Sequence, residues 1–306
     1  MGVCEPCQDR KVAALSGMSH VPWQKLGRDR RLKINGGVKM DNRPIGVFDS
    51  GVGGLTSINA LNEVLPNESI IYFGDTARTP YGSKSPRTIC EFSLQIADFL
   101  EKQNVKMLVI ACNTITSVAL GEIRKAHPNM LVQGIIEPAA NEVASTCTKD
   151  NSIGIIGTMV TIQSRAYENA LYALRGDLNV HATACPAFVP LIEEGAIESE
   201  TMETTIHHYL DSFIDTNNVD TLVLGCTHYP IIKNEIAKCC PKVKNIIDPS
   251  MALALAAKEL LTVHDMLAEK KNAKNVFYAS DLSADFFNMI NRLGIDGDFS
   301  VEQHRF

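Results

Sequence analysis

From residue 44 onward, short apolar, β-branched runs alternate with stretches of helical spacing. That rhythm restricts the chain to parallel sheets covered by helices on both faces. The first run, Pro44-Ile45-Gly46-Val47-Phe48, ends at Asp49-Ser50-Gly51, and Leu55, Ile58, Leu61 and Leu65 then recur at helical spacing. A second run, Ile70-Ile71-Tyr72-Phe73, leads into the loop 74–82. A helix follows, with Ser85 placed to cap it, Pro86 at its first position, and Ile89, Phe92, Ile96 and Phe99 on its apolar face. Further strands are expected at 107–111, 130–134, 152–156, 180–184, 221–224, 244–247 and 275–278, and a helix is expected to begin at Asp248-Pro249. In sheets of this kind, working groups gather beyond the carboxyl ends of the strands.

The 306 residues carry a formal net charge of −6 with no basic stripe in the core, which argues against a nucleic-acid partner. No apolar run reaches the length of a membrane span. The nine cysteines are odd in number and irregularly spaced, and residues 1–20 hold no apolar leader, so reduced thiols and a cytoplasmic location are expected. Residues 1–40 stand apart: eight basic side chains face three acidic ones, the only Trp (Trp23) is here, and apolar periodicity is weak. They read as a loosely ordered arm, with Met40 a candidate second start just before the first strand. Cys4-Glu5-Pro6-Cys7 lacks a second ligand pair at zinc spacing, so no metal is expected.

The core repeats itself. Ile45-Gly46-Val47-Phe48-Asp49-Ser50 parallels Ile153-Gly154-Ile155-Ile156-Gly157-Thr158, and residues 105–114 parallel residues 219–228. Cys112 and Cys226 thereby fall at equivalent strand ends of two similar α/β lobes. Two lobes across a cleft would present two thiols from opposite sides, which is what inversion of a carbon centre requires: one base removes a proton from one face and an acid returns one to the other. A thiol serves both roles, since its ordinary pKa lies near neutrality. His228, two residues after Cys226, could tune it, and Asp49, at the end of the first strand, could pair with Cys112. Glu193 and Glu194 follow an apolar run and could send a carboxylate into the cleft. Cys90, Cys147, Cys239 and Cys240 lie in helical stretches and read as structural, while Cys185, beside Pro186, stays open. The glycine turn 49–54 fits neither a P-loop nor a dinucleotide fingerprint and reads as a cradle for a small acid.

Four stretches, 48–56, 72–82, 111–114 and 225–230, resemble the glutamate racemases of the cofactor-independent aspartate/glutamate racemase superfamily, and the likeness runs from about residue 43 to about 295. The resemblance implies an α/β fold of two similar lobes, each a parallel sheet flanked by helices, with the active site in the cleft between them. It implies a first lobe from 41–135 and 245–306, a second from 136–244, and a homodimer. It further implies interconversion of L- and D-glutamate for peptidoglycan synthesis, with Cys226 acting on the L form and Cys112 on the D form. Asp49, His228 and Glu193 match assisting residues. Ser50, Tyr81, Gly82, Asn113, Thr114 and Thr227 match substrate-contacting positions, and Thr158 is added as the repeat partner of Ser50. No cofactor is expected, because no lysine stands at the proposed strand ends to hold pyridoxal phosphate. Closure of one lobe on the other should then exclude water from the carbanion. Two alternatives remain: an aspartate or other amino-acid racemase, and a catalytically silent amino-acid binder.

Overall fold

The computed structural model describes residues 40–306, so Trp23, the Cys4/Cys7 pair and the arm up to residue 39 lie outside the described residues. All strand pairings are parallel. The first lobe runs β1 (Ile45–Asp49), α1 (Thr56–Val64), β2 (Ile70–Gly74), α2 (Pro86–Lys102), β3 (Met107–Ile110), α3 (Asn113–Ala126) and β4 (Leu131–Gly134). Next come α4 (Ile136–Thr146), β5 (Ser152–Gly157), α5 (Met159–Gln163), α6 (Ala166–Leu174), β6 (Asn179–Ala184), α7 (Phe188–Glu193), α8 (Glu200–Asn217), β7 (Thr221–Gly225), α9 (Lys233–Cys239) and β8 (Asn245–Ile247). The chain then passes through α10 (Ser250–Val263) to β9 (Asn275–Ala279), α11 (Ala284–Arg292) and β10 (Phe299–Gln303), which rejoin the first sheet.

The sheet orders are β10-β9-β2-β1-β3-β4 and β6-β5-β7-β8. The block β2-β1-β3-β4 therefore matches β6-β5-β7-β8 strand for strand. Registers match too: Ile45 faces Met107 in the first sheet, and its repeat partner Ile153 faces Thr221 in the second. The carboxyl ends of β1, β3, β5 and β7 consequently carry the repeated polar residues. β9 and β10 are additions on the β2 edge.

Burial explains the strand sequences. β1 is buried along its whole length, with Ile45 and Val47 in one apolar cluster and Phe48 in another, as the two-residue period of a strand demands. The Phe48 cluster includes Ile89, Ile96 and Leu100 of α2 and Ile115 of α3. The Val47 cluster includes Ile58 and Leu61 of α1 and Leu253 and Ala257 of α10, and continues into Ile153 and Leu222 of the second lobe. Ser85 caps α2 by accepting the Thr88 N–H at 3.2 Å, with Pro86 at the first position.

Three expectations need correction. The short strand at 245–247 pairs with β7 in the second sheet, so the chain leaves that lobe after Ile247 and not after residue 244. Its three residues are exposed or half-buried and give little apolar signal of sheet membership. The helix expected at Asp248-Pro249 begins at Ser250, with the Asp248 carboxylate accepting the Ser250 N–H at 2.9 Å. An edge strand, β10, was not anticipated from the half-exposed run Phe299–Gln303. Among the described residues, no helix is long and apolar enough to cross a membrane.

Candidate active site

Cys112 leaves β3 and becomes the N-cap of α3, where its Sγ accepts the Ile115 N–H at 3.4 Å and donates to Ser50 Oγ at 3.4 Å. Asp49, fully buried at the end of β1, accepts the N–H groups of Gly51 and Gly54 through Oδ2 at 3.1 and 3.0 Å. Its other oxygen accepts Thr227 Oγ1 at 3.4 Å. Two expectations change here. The glycine turn does not keep all its amides for an external acid, because Asp49 takes up two of them. Nor does Asp49 share a hydrogen bond with Cys112; its turn amides hold it toward Thr227 instead. Its charge still reaches the sulfur: burial first, then the Asp49 carboxylate, push the Cys112 thiol well above the ordinary thiol range, while the Ser50 hydroxyl pulls weakly the other way. Cys112 is thus held as a proton donor.

Cys226 leaves β7 in the equivalent place. His228 Nδ1 lies 4.0 Å from Cys226 Sγ, at the outer edge of a sulfur hydrogen bond, and His228 Nε2 is 3.0 Å from Glu193 Oε1. Of the two adjacent glutamates, Glu193 makes this contact. Burial works against a charged imidazole, but the Cys226 sulfur and the Glu193 carboxylate outweigh it and raise His228 to about 10 from 6.5. The two thiols therefore sit in opposite fields, an anion near Cys112 and a cation beside Cys226.

The sign of this shift predicts a pH dependence. A folded-state pKa raised above the unfolded value adds stability that is complete below about 6.5 and is lost as pH rises toward about 10. Unfolding free energy measured by urea titration should fall across that window. The slope should flatten in His228→Asn, and an identical slope in both proteins would refute the charged-imidazole arrangement.

The remaining site residues bridge the lobes. Tyr167 OH of α6 donates to Asn113 Oδ1 at 2.6 Å, while Asn113 Nδ2 is buried without a partner. Thr114 Oγ1 lies 2.9 Å from Thr158 Oγ1, and Thr161 completes a hydroxyl triangle. Thr158 also caps α5 through the Thr161 N–H. Gly82 packs so closely on the second lobe that a Cβ there would stand 2.7 Å from Thr158 Cβ. At Gly53 a Cβ would stand 2.4 Å from His228 Nδ1 and 2.5 Å from Thr227 Oγ1, so only glycine lets these loops meet. Tyr81 is buried and its hydroxyl donates to Asp75.

Tyr167, Thr161 and Asp75 were not singled out from the sequence. Their partners lie 54, 47 and 6 residues away, and only for Asp75 was there a local signal, its place in the 72–82 stretch. Cys185 has its carbonyl accepting Tyr229 OH at 2.9 Å and supports the fold. A cavity of about 850 Å³ lies between α1, α4, α9 and the start of α10 and is lined by none of these residues. A smaller one of about 290 Å³ touches the site's edge at Val52 and Glu193. Among the described residues, two groupings bring metal-ligating atoms within 4.8 Å, Glu203/His207/Cys239 and Asp98/Glu101/His127, and neither shares a residue with this site.

What the geometry defines is a two-lobed α/β site with sulfur, carboxylate and imidazole at matched strand ends. The model of the Asp/Glu/Hydantoin racemase family matches residues 51–257. A glutamate racemase of Neisseria meningitidis is 45% identical over 245 residues, covering 80% of this chain and 90% of that protein. The crystal structure of a glutamate racemase from Francisella tularensis in complex with D-glutamate superposes with a TM-score of 0.80 at 39% identity, covering 86% of this chain and 98% of that one. A glutamate racemase isoform from Bacillus anthracis superposes with a TM-score of 0.81 at 34% identity, covering 87% and 98%. This chain belongs to the Asp/Glu/Hydantoin racemase family and is a racemase enzyme.

Proposed function

We propose that the protein interconverts L- and D-glutamate by proton transfer at Cα between Cys226 and Cys112. The observation that carries this reading is the placement of both cysteines, buried, at equivalent strand ends of the two repeats, with Asp49 reaching from beside one to Thr227 beside the other. In the L-to-D direction, the Cα–H bond breaks and its proton passes to the Cys226 sulfur, whose charge the His228 cation supports. The Cys112 S–H bond breaks on the opposite face and its proton reaches Cα. In the reverse direction the sulfurs exchange roles. Each cycle ends with the protons interchanged, and exchange with water resets them.

The carbanion forms without an electron sink, so its charge must be met by donors in a water-poor cleft. Asn113 Nδ2 is such a donor, buried and unpartnered. By the resemblance, Ser50, Tyr81, Gly82 and Thr227 would contact the substrate as well, and the hydroxyls of Thr114 and Thr158, 2.9 Å apart, can turn from each other toward a carboxylate. Glutamate is preferred to aspartate because the relatives at 45% and 39% identity are glutamate racemases. The product D-glutamate would serve peptidoglycan synthesis, as the resemblance implies. Incubation of either enantiomer in heavy water tests the reading. One deuterium should appear at Cα of the product, and the rate with glutamate should exceed that with aspartate. Protein inert toward glutamate in both directions refutes it.

A further inference from the structure

The loop 74–82 reaches the site at its far end and is fastened at its near end by residues that lie beyond 257, outside the region matched by the family model. Asp75 is fully buried between them. Its Oδ1 accepts Ser280 Oγ at 2.7 Å, and its Oδ2 accepts both Tyr81 OH and Arg78 Nε, the latter at 2.6 Å. Ser280 Oγ in turn accepts the Ala77 N–H at 2.8 Å, and Thr76 exchanges hydrogen bonds with Asp281. The strand end of β9 is therefore sewn along the loop.

Arg78 closes the arrangement. Its guanidinium carbon lies 4.1 Å from the ring centre of Phe92 and 4.8 Å from that of Phe306, a cation held between two aromatic faces. Nη1 donates to Gln95, and Nη2 is buried with no partner of its own, so the stacking and the Asp75 bond set its place. Phe306 also packs on Phe73, Phe99 and His304. At the other end of the same loop, Thr79 Oγ1 would stand 3.1 Å from a Cβ on Gly51, and Gly82 abuts Thr158 of the second lobe. The loop thus spans from the Asp49 turn to the facing lobe, and its height above the site is set through one carboxylate.

We infer that Arg78 and Phe306 are positioning residues: held between Phe92 and Phe306, Arg78 orients Asp75, which fixes Tyr81 and so presents the 79–82 loop to the substrate across the cleft. Neither residue touches the reacting atoms. Their effect should fall on binding common to ground and transition states, raising KM while leaving kcat. This rests on the racemase reading of the site. Phe306 is 48% exposed, so its removal opens no buried cavity and need not unfold the protein.

The experiment measures kcat and KM for both enantiomers, with melting temperatures, in wild type, Phe306→Ala, Phe306→Tyr and Arg78→Lys. Phe306→Ala and Arg78→Lys should raise KM about tenfold in each direction, as expected for a misplaced positioning group, with kcat within about twofold. Phe306→Tyr, which keeps the aromatic face, should restore the wild-type KM. Should Phe306→Ala fail to fold, Arg78→Lys decides alone, because it keeps a cation and loses only the planar fork and stack. Unchanged KM in the folded variants, or a fall in kcat with KM unchanged, overturns the inference while leaving the functional reading intact. Wild-type protein that does not racemise glutamate overturns both.

Discussion

Cys112→Ser and Cys226→Ser should each cut kcat for glutamate racemisation by about a thousandfold or more, and in both directions. The loss is two-way because each sulfur is the base for one enantiomer and the acid for the other. Serine keeps the shape but its hydroxyl ionises far above a thiol, so neither removal nor return of the Cα proton proceeds at a useful rate. A thousandfold corresponds to about 4 kcal/mol of barrier, within the range expected of general acid–base catalysis. The fold should persist, since both side chains are buried and the exchange is nearly isosteric. Near-ultraviolet circular dichroism checks this. Cys185→Ser is the control: it alters another buried strand-end thiol, one whose backbone carbonyl accepts Tyr229 OH and which takes no proton in the proposed reaction, and it should retain its turnover. Full activity in either Cys112→Ser or Cys226→Ser would sink the two-thiol mechanism.

Much of this arrangement was legible because it is local. A β-branched run followed by a cysteine and a polar residue identifies a strand end, and two such runs at similar offsets from a first strand predict equivalent positions in two lobes. The matched registers of β1 with β3 and of β5 with β7 are the structural form of that repeat. What stayed hidden depends on distant partners. Nothing near Asn245–Ile247 tells which sheet its backbone joins, because three half-exposed residues pair equally well in principle with either edge. Asp49 could be placed at the site but not oriented. Its choice of Thr227 over Cys112 follows from two amides in its own turn and a residue 178 positions later. Tyr167 carries no motif of its own, and Arg78 was visible only as a member of the 72–82 stretch; three-dimensional neighbours give them their roles.

The largest effect on stability should come from a residue remote from the chemistry. Lys106 precedes β3 at the end of the sheet opposite Cys112, and its side chain is fully buried. Its Nζ lies 2.6 Å from Glu68 Oε2 and donates to the carbonyls of Asp41 at 2.5 Å and Met266 at 2.6 Å. Glu68 Oε1 accepts the Ala268 N–H at 2.8 Å, so one ion pair ties the entry to β1, the base of β3 and the segment after α10. The Glu68 Oε2 contact is an ion pair outside aligned hydrogen-bond geometry, made while the same ammonium donates to the two carbonyls. Lys106→Met leaves a buried carboxylate and two carbonyls without their cation, and should cost about 3–5 kcal/mol in urea unfolding. Lys106→Met with Glu68→Leu should recover much of that loss, because removing both charges ends the uncompensated burial. The recovery should be incomplete, as the Asp41, Met266 and Ala268 backbone groups still lack partners. Folded Lys106→Met protein should keep the wild-type kcat, given its distance along the strand from the sulfurs. A single variant as stable as wild type would show that the pair is not the fastening its geometry describes.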